Sequence, residues 1–510
     1  MLSKTISTVL ACLACLAGGA AHAQKSKDTV RLAVSEAMPM LSPYYLTSPE
    51  AAAIYRNVFQ PLMMYHERLG RFVPALASAW KRIDDRSIDF DLRTDVKFHN
   101  GAMMDADDVV YIANWAADPE VKFRYKGRFD WIASAEKLGP NKVRITSKEP
   151  YAIAEVQLAY QLFIYDSRAQ KALADPTDYG KKPVGTGPFQ VTRLDPTRGM
   201  TVQKFTAYKD IPDGPVASVG RIEILAIPDQ QTQIAEFLAD NLDIVKDINN
   251  DFANQLAKDP KHKVSIVDGI NVIYLQYDAA GRTDQKALGD IRVRRALSMA
   301  IDRDALRAVV TGRDRAVVMD AMCFRIMNAC DYSTKPDPYN PAVARKLLEE
   351  AGQADKLKID ITAFVGPSAD LATIISGAWH RIGVEAKIQT IPLVTIRKMR
   401  EEGKLQALVN AFPAGGMPDA SNTVEVFFGD QANDYSRDPK IAELRDAGLV
   451  QLDFEKRKAT YRELYDRINQ QAYFLPLVSQ PSLFAHSADI GIKPNSPYSF
   501  GLSLNALEWK

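Results

Sequence analysis

The sequence has 510 residues, of which 46% are hydrophobic and 25% are charged, and its formal net charge is +1. A near-neutral chain without a long run of like charge carries no electrostatic footprint for nucleic acid or for an anionic membrane surface, and neither is predicted as a partner. The length exceeds what one hydrophobic core normally serves, so at least two lobes are expected.

The first 23 residues resemble a secretory signal peptide. Lys4 precedes an apolar run, and Ala21-His22-Ala23 forms a small-x-small cleavage site before Gln24. A buried N-terminal helix is the alternative interpretation. The run is too short to span a bilayer and no later run reaches its length, so the mature chain is predicted to be exported without membrane insertion. Without Lys4 the 64 basic residues become 63, which equals the acidic count.

The four cysteines divide into two pairs. Cys12 and Cys15 lie inside the signal, where their C-x-x-C spacing has no meaning for the mature chain. Cys323 and Cys330 remain, and two nearby cysteines in an oxidising compartment can form one disulfide. Two buried thiols are the alternative.

Two strands are predicted early in the mature chain. "VRLAV" is the first. "RSIDFDLR" alternates Ile88, Phe90 and Leu92 with charged residues, which predicts a half-buried strand.

The stretch "FHNGAMMDADDVV" (98–110) combines a histidine with three aspartates, and so raises the question of a metal or acid/base site. Asn100-Gly101 is a turn signal. Asp105 is placed to cap a helix by accepting from the backbone of Asp108, and acids in a first turn suit the helix dipole. Since a helix start splays these oxygens apart, the structural interpretation is favoured over a metal site.

Three later segments predict helices. "IRVRRALSMAIDRDALRAVV" places Val293, Leu297, Ala300 and Ile301 on one face, with arginines on the other side. "YNPAVARKLLEEAG" begins near Pro341 and ends at Gly352. "YRELYDRINQQAYFLPL" predicts a helix that runs into a strand.

No catalytic or metal-binding spacing is found. The sequence lacks an H-E-x-x-H motif, a G-x-S-x-G elbow and a P-loop. "VGTGPF" lacks the third glycine of a dinucleotide fingerprint, which favours a turn that enters a strand. The mature histidines are scattered, without metal-ligand spacing. No catalytic residue, metal or cofactor is therefore predicted.

Five segments, in this order, resemble the extracellular solute-binding proteins of family 5, the peptide- and nickel-type binding components of ABC importers. They are "VPALASAWKRIDDRSIDFDLRTDVKFHNGAMMDADDVV", "PVGTGPF", "EFLADNLDIV", "IRVRRALSMAIDR" and "YNPAVARKLLEEAG". The third has Asn241 where the family usually has glycine. The resemblance covers nearly all of the mature chain.

The resemblance implies an α/β fold of the two-lobed periplasmic-binding-protein type (type II, large class), with an added subdomain in the first lobe. Lobe I is expected to take residues 24–63, 183–275 and 480–510, the added subdomain 64–182, and lobe II 276–479. It also implies a periplasmic monomer that captures a peptide or peptide-like solute between the lobes and delivers it to an inner-membrane ABC permease.

Two loops are the candidates for the ligand cleft by this resemblance. "SEAMPMLSPYY" would contribute Met38, Met40 and Tyr44 as an adaptable, partly apolar wall, with core packing of the methionines as the alternative. "AFPAGGMPDASN" would contribute Phe412, Pro413, Gly415, Gly416 and Asp419. In peptide-binding relatives an aspartate three residues after the aromatic residue neutralises the peptide's ammonium, and here Gly415 stands at that place.

This departure bears on the ligand. An ammonium buried without a carboxylate would cost several kcal/mol, so a blocked or cyclic peptide, an opine-like conjugate or another neutral solute fits better than a free peptide. Nickel chelates remain open. An exported hydrolase and a solute sensor without a transport role are the alternative functions.

Overall fold

The computed structural model describes residues 28–46, 48–66, 71–123, 126–211, 216–267, 271–310, 316–413, 417–429, 432–493 and 502–510. The predicted signal peptide, with Cys12 and Cys15, lies outside the described residues.

The strands of the described chain are β1 Thr29–Val34, β2 Met63–His66, β3 Arg71–Pro74, β4 Ala77–Arg82, β5 Ser87–Leu92, β6 Ile132–Gly139, β7 Lys142–Ser147, β8 Phe189–Asp195, β9 Gly199–Lys204, β10 Arg221–Ala226, β11 Ile244–Lys246, β12 His262–Val267, β13 Asn271–Tyr277, β14 Lys358–Phe364, β15 Glu385–Ile391, β16 Ala407–Pro413, β17 Phe474–Ser479, β18 Ser482–Ser487, β19 Ile490–Ile492 and β20 Leu507–Trp509.

The α-helices are α1 Pro49–Tyr55, α2 Ala106–Ala117, α3 Ala154–Tyr160, α4 Ser167–Lys171, α5 Gln230–Leu238, α6 Asn250–Leu256, α7 Ile291–Met299, α8 Arg303–Val310, α9 Pro341–Glu350, α10 Pro367–His380, α11 Leu393–Glu401, α12 Ser421–Phe428, α13 Pro439–Val450 and α14 Phe454–Gln470. Short 3-10 helices occupy Lys126–Arg128, Pro176–Lys181, Lys286–Gly289 and Leu504–Ala506.

The sheet of lobe I has seven strands among the described residues, in the order β12-β18-β11-β1-β10-β9-β8. Its centre is parallel, because β1 pairs in parallel with β10 on one side and with β11 on the other. The outer strands are antiparallel. The strands come from three separate stretches of chain, 29–34, 189–267 and 482–487, so distant parts of the sequence build one lobe.

A four-stranded antiparallel sheet in the order β4-β5-β7-β6 forms the added subdomain, and α2 packs on it. The predicted helix start is confirmed: Asp105 and Asp108 form a reciprocal capping box at the first turn of α2. The remaining Asp108 oxygen accepts hydrogen bonds from Ser167 N (2.9 Å) and Oγ (2.7 Å). The acids of this segment therefore hold local structure together and do not converge on a metal.

The sheet of lobe II has five strands in the described chain, in the order β15-β14-β16-β13-β17, with β15, β14 and β16 parallel.

The predicted helix over 291–310 is divided into α7 and α8, because Asp302 accepts from Ala305 N at 3.1 Å and so begins a new helix. The arginines of this segment are predicted on the side opposite the apolar face, and Arg294 is nevertheless buried. Its guanidinium is buried and donates to the carbonyls of Leu288, Gly289 and Gln471.

Two short segments connect the sheets of the two lobes. One joins β12 to β13, and the other is Gln480-Pro481 between β17 and β18. Gln480 N donates to Asn271 O at 2.9 Å, so the crossing at Gln480 lies beside the start of β13. The predicted boundary at residue 275 falls inside β13, four residues after that strand begins.

Three apolar clusters hold the layers together. The largest runs from the inner face of the lobe I sheet through the added subdomain to the face of the lobe II sheet that carries Tyr274 and Phe474. The second fills the opposite face of the lobe II sheet around Trp379, and the third lies under α5 and α6 around Phe237. The predicted two-lobed α/β fold is confirmed. No helix in the described part of the chain has the length and apolar character that a membrane crossing requires.

Candidate functional site

The lobe I sheet has a topological switch point at β1. The chain enters β10 on one side of β1 and then crosses, through α5, to β11 on the other side. In open α/β sheets, ligands bind outside the carboxyl ends of the strands at such a point. Here those ends are Val34, Ala226 and Lys246, so this edge is the lobe I side of the candidate site.

A charged cluster lies at this edge. Glu50 of α1 accepts from Ser35 N and Oγ, both at 2.8 Å, and forms an ion pair with Lys246 at 3.1 Å. Lys246 also contacts Asp247 at 3.2 Å. Burial lowers the pKa of the Lys246 ammonium, but the two carboxylates outweigh it and the net shift is upward. The ammonium is therefore charged beside a small cavity of about 40 Å³, whose walls include β1, α1 and β11.

Three candidate ligand contacts lie in the loop that follows β1: Met38, Met40 and Tyr44. Their side chains differ in how far they are exposed to solvent. Met38 is 1% exposed and Tyr44 is 2% exposed, both within the largest apolar cluster. Tyr44 Oη donates to Phe163 O at 2.6 Å. The expectation that Met38 and Tyr44 line the cleft is corrected, because their side chains have no surface to offer a ligand. Met40 is half-buried and stays a candidate.

Tyr44 is buried by aromatic rings from distant parts of the chain. The rings of Trp115, Phe123, Phe129 and Tyr165 lie between 5.1 and 5.5 Å from its ring centre. Contacts of this kind contribute to packing beyond the area that they bury. The local sequence "SPYY" gives no sign of these partners, so only the tertiary structure assigns Tyr44 to the core.

The lobe II side is the edge where β14, β15 and β16 end, at Phe364, Ile391 and Pro413. Phe412 is half-buried and packs edge-on against Phe427 at 5.1 Å, while Pro413 is exposed. Both stay candidates for ligand contact. Gly415 and Gly416 lie outside the described residues.

Asp419 has a structural partner inside the protein. It is fully buried, and its two carboxylate oxygens accept from Arg457 Nη1 (2.8 Å) and Nη2 (2.5 Å). Ser421 N donates to the same carboxylate at 2.9 Å. Burial lowers the pKa of Arg457, but the Asp419 charge, its hydrogen bond and Tyr461 together outweigh burial, so the net shift is upward. The expectation that Asp419 contacts ligand is corrected, because its charge is neutralised and its oxygens are already bonded.

A disulfide-closed loop holds the segment before α12 in place. Cys323 and Cys330 are bonded, with their Cα atoms 6.0 Å apart. Within the loop, Asn328 N donates to Pro418 O at 2.8 Å and Asn328 O accepts from Ala420 N at 2.9 Å. Tyr65 Oη of β2 donates to Asn328 Oδ1 at 3.3 Å, which links the first lobe to the second. Sequence reasoning missed this cross-lobe contact.

A second link between the lobes is made by backbone alone. Ala152 N, just before α3, donates to Leu449 O of α13 at 2.8 Å. The two lobes are thus in direct contact through Tyr65–Asn328 and through Ala152–Leu449. Within the described residues there is no group of three or more His, Cys, Asp or Glu side chains that could hold a metal ion.

His99 serves a structural purpose and not a chemical one. Gly185 N donates to His99 Nδ1 at 3.1 Å, which leaves Nε2 as the protonated nitrogen, and Nε2 donates to Gly187 O at 3.0 Å. Burial lowers the pKa of His99 to about 4. A neutral imidazole therefore joins two of the segments on which the resemblance depends. Both glycines are needed, because a Cβ on Gly185 would lie 1.9 Å from Val58 O and a Cβ on Gly187 would lie 2.4 Å from Asn57 O.

Comparison with known proteins agrees with this architecture. Residues 71–435 match the family described as bacterial extracellular solute-binding proteins, family 5 Middle. Heme-binding protein A of Haemophilus influenzae is 25% identical over 475 residues, covering 87% of this chain and 83% of that protein. Di/tripeptide-binding protein 1 of Pseudomonas aeruginosa is 26% identical over 469 residues, covering 85% of each.

Among solved structures, NikA from Brucella suis in complex with Fe(III)-EDTA superposes with a TM-score of 0.83 at 23% identity, covering 94% of this chain and all of that one. The chain belongs to the family 5 bacterial extracellular solute-binding proteins. The proteins of this family bind a substrate, and this chain is a substrate-binding protein of the same class.

Proposed function

We propose that this protein captures a peptide or peptide-like solute in the periplasm, between its two lobes, and delivers it unchanged to an ABC permease in the inner membrane. The support for a peptide-like solute is that di/tripeptide- and glutathione-binding proteins are among the relatives that match most of the chain. Each lobe also has a group of parallel strands whose carboxyl ends are the usual place for a ligand in an α/β sheet, which supports a site between the lobes.

The ligand we propose lacks a free ammonium on the lobe II side. The observation that carries this is the buried Asp419–Arg457 pair. Gly415 supplies no carboxylate, and both Asp419 oxygens are bonded to Arg457, so neither of these two positions offers an incoming ammonium an anionic partner. Because burying an unpaired ammonium costs several kcal/mol, an N-blocked or cyclic peptide or an opine-like conjugate should bind more tightly than a free peptide.

The candidate contacts are the half-buried and exposed residues of the two edges. On lobe I these are Met40 and the cluster around Glu50 and Lys246; on lobe II they are Phe412 and Pro413, with Gly415 and Gly416 between β16 and α12. An apolar wall with a few fixed charges is the usual composition of a small-molecule site. Glycines at that point would let the backbone approach the guest closely.

A matched pair of ligands tests the proposal. Di- to pentapeptides and their N-acetylated or head-to-tail cyclic counterparts are titrated into the mature protein by calorimetry. We expect the blocked form to bind in the micromolar range, which corresponds to about −8 kcal/mol, and the free form to bind at least about tenfold more weakly, a difference of about 1.4 kcal/mol. Binding of free-amine peptides alone would overturn the ligand assignment.

A recovery experiment separates a binding protein from an exported hydrolase. The bound compound is incubated with the protein, extracted and weighed by mass spectrometry. We expect it to be unchanged, because sequence reasoning found no nucleophile–base spacing for turnover. A cleaved product would support the hydrolase alternative. Uptake of the same compound by cells, lost when the partner permease is deleted, separates transport from sensing.

A further inference from the structure

A second cavity, of about 380 Å³, opens at the outer edge of the lobe I sheet. Its polar lining consists of His262, Lys263, Ser265, His486, Glu508 and Lys510. His486 of β18 is in register with Ile244, at the amino end of β11, whereas the candidate cleft lies at the carboxyl end of that strand. The cavity is therefore separate from the cleft between the lobes.

The floor of this cavity is a neutral polar network. His486 is 2% exposed. Its Nδ1 lies 2.9 Å from Ser487 O, and since a carbonyl only accepts, Nδ1 carries the proton. Its Nε2 therefore accepts from Ser265 Oγ, also at 2.9 Å. Lys263 is in register with His486 on the neighbouring strand, so its side chain leaves the sheet on the same face.

The charges around the cavity do not balance. Glu508 is paired with Lys493 at 3.1 Å, and Asp259, whose carboxylate lies 3.1 Å from His262 Nδ1, does not line the cavity. Within the described part of the chain, the ammonium groups of Lys263 and Lys510 have no carboxylate partner. Two unpaired cations that face one cavity repel each other, and an anion between them would turn that repulsion into attraction.

Both lysines shift the pKa of His486 at the floor of the cavity. Burial lowers the pKa of His486, and Lys510 and Lys263 lower it further. The positive potential thus reaches the base of the cavity as well as its rim. The volume falls in the range of small-molecule sites, and the hydroxyl of Ser265 supplies a polar group at the base.

We propose that this cavity binds a small oxyanion, a carboxylate or a phosphate group, between the ammonium groups of Lys263 and Lys510, independently of the solute held in the cleft. Lysine ammonium groups recognise either anion as point charges. Occupation of this site would connect β12 and β18 at the edge of the lobe I sheet to the two-stranded sheet of β19 and β20.

Calorimetric titration of the mature protein at low ionic strength tests the proposal. Inorganic phosphate and acetate are used in separate arms, with sodium chloride at matched ionic strength as the reference. We expect at least one oxyanion to bind with a heat that chloride does not reproduce. The double variant Lys263→Gln/Lys510→Gln should bind that anion roughly tenfold more weakly, as expected for the loss of two partly exposed charge contacts.

A matched control removes the same net charge nearby. Lys258 and Lys261 are exposed on the turn between α6 and β12 and do not line the cavity. The variant Lys258→Gln/Lys261→Gln should keep wild-type anion binding, and circular dichroism checks that both double variants are folded. Binding of phosphate alone or of acetate alone identifies the group, and both results support the site. Absence of binding in both arms, or equal weakening in the control variant, would overturn it.

Discussion

At the scale of single residues, the clearest lesson is that His99 and Asp419 are both structural. Each belongs to a group that usually carries chemistry, an imidazole and a carboxylate. His99 joins two backbone segments as a neutral ring, and Asp419 is bonded on both oxygens. Burial together with satisfied hydrogen bonds distinguishes a structural role from a ligand site, and neither quantity can be read from the sequence.

The shifted pKa of His99 predicts that stability depends on pH. Its pKa in the folded state is about 4, against an ordinary value of 6.5. Since the unfolded chain takes up the proton first, the contribution is fully present above pH about 6.5 and is lost as the pH falls toward 4. We expect His99 to account for a loss of about 3 kcal/mol in the free energy of unfolding over that range, measured by urea denaturation.

Two variants isolate this contribution. His99→Gln should be less stable than wild type at pH 7 and should show a flatter dependence on pH, because the titrating group is gone. His380→Gln, at an exposed position on α10, should keep both the wild-type stability and the wild-type slope. An unchanged slope in His99→Gln would mean that other groups cause the acid sensitivity.

Replacing Asp419 should affect folding more than ligand affinity. Asp419→Asn leaves the buried Arg457 guanidinium without its counter-charge, at a cost of about 3 kcal/mol. Glu385→Gln is the matched control, since its pair with Lys358 is highly exposed (70% and 74%) and is worth less than about 1 kcal/mol. Chemical denaturation measures both. If Asp419→Asn had normal stability but lost ligand binding, Asp419 would have to be a ligand contact.

At the scale of elements, the sequence predicts where helices start better than whether a long helical segment is continuous. The helix cap at Asp105 and the start of α9 at Pro341 are predicted because their signals are local, and both are confirmed. The break between α7 and α8 was missed because apolar spacing continues across Ala300 and Ile301. Arg294 was misplaced because its carbonyl partners, including Gln471, come from other parts of the chain.

The loop closed by Cys323 and Cys330 provides a prediction at this scale. Thiol titration of the unfolded, unreduced mature protein should find no free thiol. The bond joins residues seven apart, and loop-closure entropy for such a short ring gives roughly 2.5 kcal/mol of stability. The double variant Cys323→Ser/Cys330→Ser should lose about this amount in denaturation, because the loop that holds Asn328 against Pro418 and Ala420 is released. Two reactive thiols in the untreated protein would refute the bridge.

At the scale of the whole molecule, the order of motifs predicts the lobes, but the residues of the cleft are harder to predict. The length predicts at least two lobes, and the two-lobed α/β fold is implied by the family resemblance that the ordered motifs carry. Whether a loop residue faces the cleft or the core depends on distant partners, as the rings around Tyr44 show. The assignment of the loop at 414–416 stays a prediction.

The contacts between the lobes predict how closure responds to ligand. The lobes are joined by two crossings and touch through Tyr65–Asn328 and Ala152–Leu449. A guest that contacts both edges favours the closed form, so ligand should reduce the radius of gyration in solution scattering and raise the melting temperature. Tyr65→Phe removes one hydrogen bond that exists only when the lobes meet, and it should weaken ligand binding about fivefold, near 1 kcal/mol.

Tyr339→Phe is the control for this closure experiment, because Tyr339 is 46% exposed on the surface before α9. It should bind ligand as the wild type does. The melting temperature of ligand-free Tyr65→Phe should stay close to wild type, since the hydrogen bond acts between lobes and not within a core. If Tyr65→Phe lowered that melting temperature strongly and left affinity unchanged, Tyr65 would stabilise the fold of its own lobe and the two lobes would close without it.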